Sequence, residues 1–283
     1  MTGRAFHRLA TSAAASLMVA LVPHAAQASE ASPWDNGTHS AARLIAAGAI
    51  RDQGAARLRA GVELKLRPGW KTYWRYPGDS GVPPRFDFAR SENVRDVTVL
   101  WPAPKRFSDG SGMSIGYAEA VVFPLRITPA DERKPVLLRV DLDYGVCEKL
   151  CVPVEAKLEL ALTTRATAHD ALLAASEARV PVSVAIGPRQ PLAVVGVGRE
   201  AERTPARVVV DVAANEPVDL FAEGPTPEWA LPLPQPVDGA PAGVKRFAFE
   251  LDGLPPGAKP AGTALKLTAT SATSAVEVVA QLD

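Results

Sequence analysis

The sequence predicts an all-β protein made of two sandwich-type β-domains in series. Three observations support this. The 26 prolines in 283 residues would break a helix-rich fold. Apolar and polar residues alternate with period two in several short runs, as half-buried strands require. Clusters of Pro, Gly, Asn and Asp separate those runs. Proline and glycine together make up roughly 17% of the chain, below the range of about 25–30% that marks low complexity. With 47% hydrophobic residues, the chain can bury a core. Its formal charge is zero and it carries no basic block, so nucleic acid is excluded as a partner, because phosphate neutralisation dominates that affinity.

Taken in order, residues 1–28 read as a secretory signal peptide. Arg4, His7 and Arg8 precede an apolar run over 9–22, which ends at the small-x-small site Ala26-Gln27-Ala28. That run is too short for the roughly 20 residues of a membrane-spanning helix, and no later stretch approaches a span. The expected mature protein begins near Ser29 and is exported, to the periplasm in a Gram-negative cell. Residues 29–40 are polar and read as a loose arm. The first domain, 41–165, shows strand patterns at 58–66, 94–101, 120–127, 136–144 and 152–163. Residues 166–179 lack Gly and Pro and predict one helix, so 166–181 is expected to be a helical linker. The second, smaller domain, 182–283, has strand patterns at 192–197, 207–212, 245–251, 264–271 and 275–282. A Pro-rich stretch over 223–241 reads as an irregular loop.

Catalytic look-alikes fail on context. Gly78-Asp79-Ser80-Gly81 resembles a serine-protease nucleophile segment, but it has no room upstream for a barrel carrying its partners. Gly112-Met113-Ser114-Ile115-Gly116 matches the nucleophile-elbow string without the helix that must follow it. Gly196-Val197-Gly198 lacks the βαβ setting of a dinucleotide site. The histidines of the mature chain, His39 and His169, lie far apart and outside any ligand spacing.

All four tyrosines and four of the five tryptophans precede residue 150. The group Trp70, Tyr73, Trp74 and Tyr76 is too dense for one alternating strand to bury, so part of it is expected to be exposed or to cover a loop. The same half holds both cysteines, Cys147 and Cys151. Strand-like runs flank them, which predicts a hairpin with a cysteine on either side of its turn, within disulfide reach. Closing so short a loop contributes only about 2 kcal/mol, against more than about 4 for a loop near 100 residues. Lys149 favours a thiolate and Glu148 opposes one. Three readings stay open on the residues alone: thiol–disulfide exchange, a local structural bond, or a Cu(I) site in which Met113 adds a thioether to two thiolates.

The segments Gly69-Trp70-Lys71-Thr72-Tyr73-Trp74, Val99 to Pro104, Ile115-Gly116-Tyr117, Val122 to Leu125 and Tyr144 to Pro153 resemble, in order, the amino-terminal periplasmic domain of DsbD-type thiol:disulfide interchange proteins. The ScsB branch is the nearer likeness. The resemblance covers about residues 55–163, and the second half more loosely resembles the region that follows in ScsB-like proteins. It implies an immunoglobulin-like β-sandwich with Cys147 and Cys151 as the redox pair; position does not settle which sulfur attacks first, and Cys151 is this reading's choice. It also implies a cap loop from Phe107 through Asp109 and Met113 to Gly116, with Trp70, Tyr73 and Tyr117 lining the site. The implied function is a periplasmic interchange module without a cofactor. It would take reducing equivalents from a thioredoxin-like or membrane thiol-relay protein and pass them to periplasmic disulfide-bearing acceptors. Three residues separate the cysteines, fewer than in the best-known DsbD proteins but suited to the ScsB branch. The chain shows neither a membrane relay nor a thioredoxin-like CxxC domain, so a separately encoded membrane partner is expected. The alternatives are a two-domain interaction module with a structural disulfide, and a Cu(I)-handling protein.

Overall fold

The computed structural model describes residues 29–52, 54–78, 81–109, 112–162, 164–187 and 191–283; the expected signal segment lies outside them. The first half runs β1 (Asp35–Asn36), β2 (Ser40–Asp52), β3 (Ala55–Leu66), β4 (Lys71–Gly78), β5 (Arg85–Asp87), β6 (Val94–Val99), β7 (Lys105–Asp109), β8 (Gly112–Ala118), β9 (Ala120–Pro129), β10 (Leu137–Cys147) and β11 (Cys151–Ala161). A short helix, α1 (Asp170–Glu177), follows. The second half runs β12 (Val182–Ser183), β13 (Ala193–Glu200), β14 (Arg207–Ala213), β15 (Asp219–Glu223), β16 (Gln235–Val237), β17 (Val244–Glu250), β18 (Ala264–Thr270) and β19 (Ala275–Gln281).

The fold is all-β, an immunoglobulin-like sandwich followed by a smaller one. In the first, a five-stranded sheet β1-β2-β3-β9-β6 faces a sheet ordered β11-β10-β4-β8-β7, with β5 added on β10. The alternation in β3 works as expected: Leu58, Ala60, Val62 and Leu64 enter the core, where they meet Phe123, Leu138, Val140 and Leu142. In the second, the sheets β12-β19-β18-β15 and β13-β14-β17-β16 enclose Val208, Val210, Leu265, Leu267 and Val278.

Three expectations change. Residues 29–40 are not a loose arm. Ser32 exchanges two hydrogen bonds with Leu44, each 2.9 Å, through its own N–H and its hydroxyl oxygen, and Ala46 N–H donates to the Glu30 carbonyl. The polar composition hid this because backbone and hydroxyl groups, not apolar side chains, make the attachment. The helix is shorter than 166–179. The Thr167 hydroxyl donates to the Ala46 carbonyl at 2.6 Å, and the Asp170 carboxylate accepts the Gly48 N–H at 3.1 Å. The chain before Asp170 is therefore tied to β2 and cannot wind. The helix also docks onto the five-stranded sheet, with Leu173 against Ile45, Ala47 and Val122. Arg59 pairs with Glu177 at 2.9 Å and with Asp170 at 3.1 Å. Finally, the stretch expected to be an irregular loop contains the short strand β16.

The aromatic cluster on β4 is buried more completely than expected, because the second sandwich covers what the first cannot. Tyr73 is 2% exposed and Trp74 fully buried. Trp74 packs on Phe221, with ring centroids 5.7 Å apart, and the Tyr76 hydroxyl donates to the Leu231 carbonyl at 2.6 Å. Arg75 pairs with Glu223 at 2.7 Å and also with Glu277. From β7, Arg106 donates to the carbonyls of Leu220 and Pro234. Phe221 and Leu233 belong to the hydrophobic core of the first sandwich.

Candidate redox site

β10 and β11 form one hairpin, in register from Leu137↔Ala161 to Cys147↔Cys151. The sequence dictates its two faces. Val140, Leu142, Tyr144 and Val146 point into the core, so Asp141, Asp143, Gly145 and Cys147 face outward, because side chains alternate along a strand. Cys147 and Cys151 are directly opposed, with Cα atoms 4.2 Å apart, and form a disulfide. Both therefore sit at the end of the sheet, on its outer face, beside the turn 148–150.

The two sulfurs have different surroundings. Cys147 is 3% exposed, whereas Cys151 is exposed. Tyr73 covers the buried one: its hydroxyl donates to Cys147 Sγ at 2.7 Å and lies 3.1 Å from Cys151 Sγ. Two glycines make room for that ring. A Cβ on Gly81 would lie 2.4 Å from Tyr73 Cε1, and one on Gly145 would lie 3.2 Å from Cε2. On the other side, Lys71 of β4 is the register partner of Cys147. It is buried, with its ammonium 5.8 Å from the centre of the Phe107 ring. A groove of about 530 Å³ opens beside the turn, lined by Trp70, Lys71, Phe107 and Glu148 among others. Trp70 stacks flat on His39 at 3.7 Å. At the turn itself, Leu150 is 79% exposed.

The structure thus gathers Cys147, Cys151 and Tyr73, with Trp70 and Phe107 alongside. It places two other expected residues elsewhere. Tyr117 is a core residue, packed on Phe123 with ring centroids 5.4 Å apart. Its hydroxyl donates to the Pro102 carbonyl at 2.8 Å, and burial pushes its phenol well above the ordinary range. Met113 packs against the same core. The stretch 107–116, expected as a cap loop, is the β7–β8 hairpin, with Phe107 opposite Ser114. Residues 110 and 111 and the Asp109 side chain lie outside the described residues. Sequence reasoning missed Lys71, Gly81 and Gly145; the last sits two residues before Cys147, where a strand position without a side chain signals close approach of a neighbour. Among the described residues, no group of three or more His, Cys, Asp or Glu side chains is arranged to hold a metal ion. No described helix is long and apolar enough to cross a membrane.

Residues 42–163 match the family described as "Thiol:disulfide interchange protein DsbD, N-terminal". The chain is also similar in structure to the N-terminal periplasmic domain of ScsB from Proteus mirabilis. That likeness has a TM-score of 0.70 at 22% identity and covers 89% of this chain and 98% of the other. No curated protein matches. The paired-cysteine hairpin and its immunoglobulin-like sandwich thus lie within the segment, residues 42–163, that matches the DsbD N-terminal family model, and the ScsB domain shares the fold.

Proposed function

We propose that the protein is a periplasmic thiol–disulfide interchange module in which Cys147 and Cys151 carry the electrons. The observation that carries this reading is the asymmetry of the pair: an exposed sulfur joined to a buried one that already receives a hydrogen bond from Tyr73. Exchange proceeds by attack of a thiolate on one sulfur of a disulfide. A thioredoxin-like or membrane-relay dithiol attacks Cys151 Sγ, the accessible atom. The Cys147–Cys151 bond breaks, a mixed disulfide forms, and Cys147 leaves as a thiolate under the Tyr73 hydroxyl. The donor's second thiolate then attacks its own sulfur in the mixed disulfide and releases Cys151. The donor leaves oxidised, and the module holds two electrons more, with protons taken up from water. Delivery runs in reverse. Cys151 attacks the acceptor's disulfide, and Cys147 then displaces the acceptor as a dithiol. Tyr73 acts at the leaving-group end, since a hydrogen bond to a developing thiolate is worth more than one to a neutral sulfur.

Trapping tests this directly. Cys147→Ser leaves the accessible cysteine without its resolving partner, so it should accumulate a mixed disulfide with periplasmic proteins. Cys151→Ser should accumulate none. Equal trapping by both variants, or by neither, together with a bond that stays oxidised in cells and against a reduced thioredoxin-like protein, would leave the disulfide a structural one.

A further inference from the structure

The free edge of β11 beside Cys151 has the geometry to receive a strand. In an antiparallel pair, the N–H and C=O of each residue point to one side, and the side alternates along the chain. The Gly145 carbonyl accepts the Thr72 hydroxyl of β4 at 2.8 Å, so it points away from β11. Cys147, two residues on, points the same way. Their register partners Pro153 and Cys151 therefore turn their backbone groups away from β10, toward the open edge. Two further residues agree with this phase. Pro153 has no N–H to offer, and prolines occupy outward-facing positions on edge strands. Lys157, in the same series, donates its outward N–H to the Asp35 carboxylate at 3.2 Å. Among the described residues, β11 pairs only with β10, so the open stretch runs from Cys151 to Glu155 and Asp35 closes it.

The direction of attack coincides with that edge. A thiolate approaches a disulfide sulfur in line with the bond it breaks. The Cys147–Cys151 bond crosses from β10 to β11, so the line through Cys151 leads out over the open edge. A neighbouring strand would lie there, about 4.8 Å away.

We infer that the Cys151–Glu155 edge is the docking surface for a short extended segment of the thiol partner, which pairs with the Cys151 backbone and thereby places its own cysteine in line with the bond. This rests on the interchange reading and names how the partner is recognised. The segment is short, because only the outward groups of Cys151, Pro153 and Glu155 are available. Pro153 supplies a carbonyl alone, which also discourages extended pairing with a second copy of the chain.

The test compares a seven-residue, strand-forming peptide bearing one central cysteine with the same peptide N-methylated at the amides next to that cysteine. Dithiothreitol, which needs no strand, serves as the reference reductant. The unmethylated peptide should react with the disulfide at least about fivefold faster than the methylated one, the scale set by loss of one net hydrogen bond. Glu155→Pro, which removes only an outward N–H, should narrow that gap while leaving the dithiothreitol rate unchanged. Equal rates for the two peptides would overturn the inference, and because this comparison uses the wild-type protein, it stands even if Glu155→Pro misfolds. An edge-paired dimer in size-exclusion chromatography, abolished by Glu155→Pro, would overturn it too by assigning the edge to a second copy. If the peptides react alike while Cys147→Ser still traps protein partners, the docking mode fails and the interchange function stands.

Discussion

Removing one oxygen atom should change the redox behaviour without disturbing the fold. Tyr73→Phe keeps the ring that fills the space between Gly81 and Gly145 but deletes the hydroxyl 2.7 Å from Cys147 Sγ. In the oxidised protein that hydroxyl meets a neutral sulfur, a weak acceptor. In the reduced protein it meets a thiol or a thiolate, and hydrogen bonds to charged groups are worth about 1.5–3 kcal/mol. For a two-electron couple, about 1.4 kcal/mol corresponds to about 30 mV. The variant's potential should therefore be more negative by about 30–60 mV at a pH where Cys147 is a thiolate. The Cys147 thiol pKa should rise by about 1–2 units, since one unit is about 1.36 kcal/mol. Equilibration against glutathione buffers gives the potential, and thiolate absorbance at 240 nm against pH gives the pKa. A potential within about 10 mV of wild type together with an unmoved thiol pKa would refute a role for Tyr73 at the leaving sulfur.

Other substitutions probe the scaffold. Arg75→Leu removes the cation that Glu223 and Glu277 share and leaves Glu277 with Lys266 alone, 3.7 Å away. The loss should fall at the low end of the roughly 3–5 kcal/mol for breaking a buried pair, because both carboxylates keep some water; urea unfolding measures it, and a loss under about 1 kcal/mol would remove the ion pair as an interdomain tie. Gly116→Val should destabilise strongly, because even a Cβ there would sit 1.9 Å from the Thr72 carbonyl oxygen. The cost should exceed the usual 1–3 kcal/mol or so of overpacking, and a variant with wild-type urea midpoint would contradict the packing of β8 on β4. Burial works against the Glu177 carboxylate, yet hydrogen bonds from Arg59 and Arg126 outweigh it and hold its pKa below the ordinary value. A lowered folded-state pKa means a contribution present above the unfolded value, near about 4.3, and lost as pH falls through the folded one. The gap in urea midpoint between wild type and Glu177→Gln should thus be open at pH 6 and close by about pH 3; a gap constant over that range would exclude the carboxylate as its source.

Period-two alternation made much of the fold legible, as at Leu58 to Leu64 in β3 and Val140 to Val146 in β10, because one face of each strand is apolar and the other is largely polar, even where Arg59 and Glu63 are buried. The reading failed where both faces of a strand carry apolar or aromatic side chains. Trp74 and Tyr76 share a strand with Tyr73 yet meet Phe221 and Leu231 from a different domain, and no local pattern announces a partner about 150 residues away. β15 went unread for the complementary reason, since Phe221 is an outlier in its own sandwich and a core residue in the other. At the site, the cysteine hairpin was visible from its flanking strands. The resemblance, not the residues alone, pointed to Tyr73. Its contact with the sulfurs depends on the bare backbone at Gly145 and Gly81, and a glycine says that something comes close without saying what. Tyr117 was misplaced because a tyrosine whose hydroxyl satisfies a backbone carbonyl in the core, here that of Pro102, looks the same in sequence as one that lines a pocket.

Phe221 and Leu233 cross from one sandwich into the hydrophobic interior of the other, so the two halves have no slip plane between them. Swinging one away from the other would strip both side chains of their surroundings and expose Trp74 to water. Any approach of the sulfur pair to another protein must then carry all of 182–283 along as ballast. The bulk of that second sandwich, standing beside β4 and β7, closes one flank and leaves the edge of β11, where the inferred partner strand would dock, uncovered.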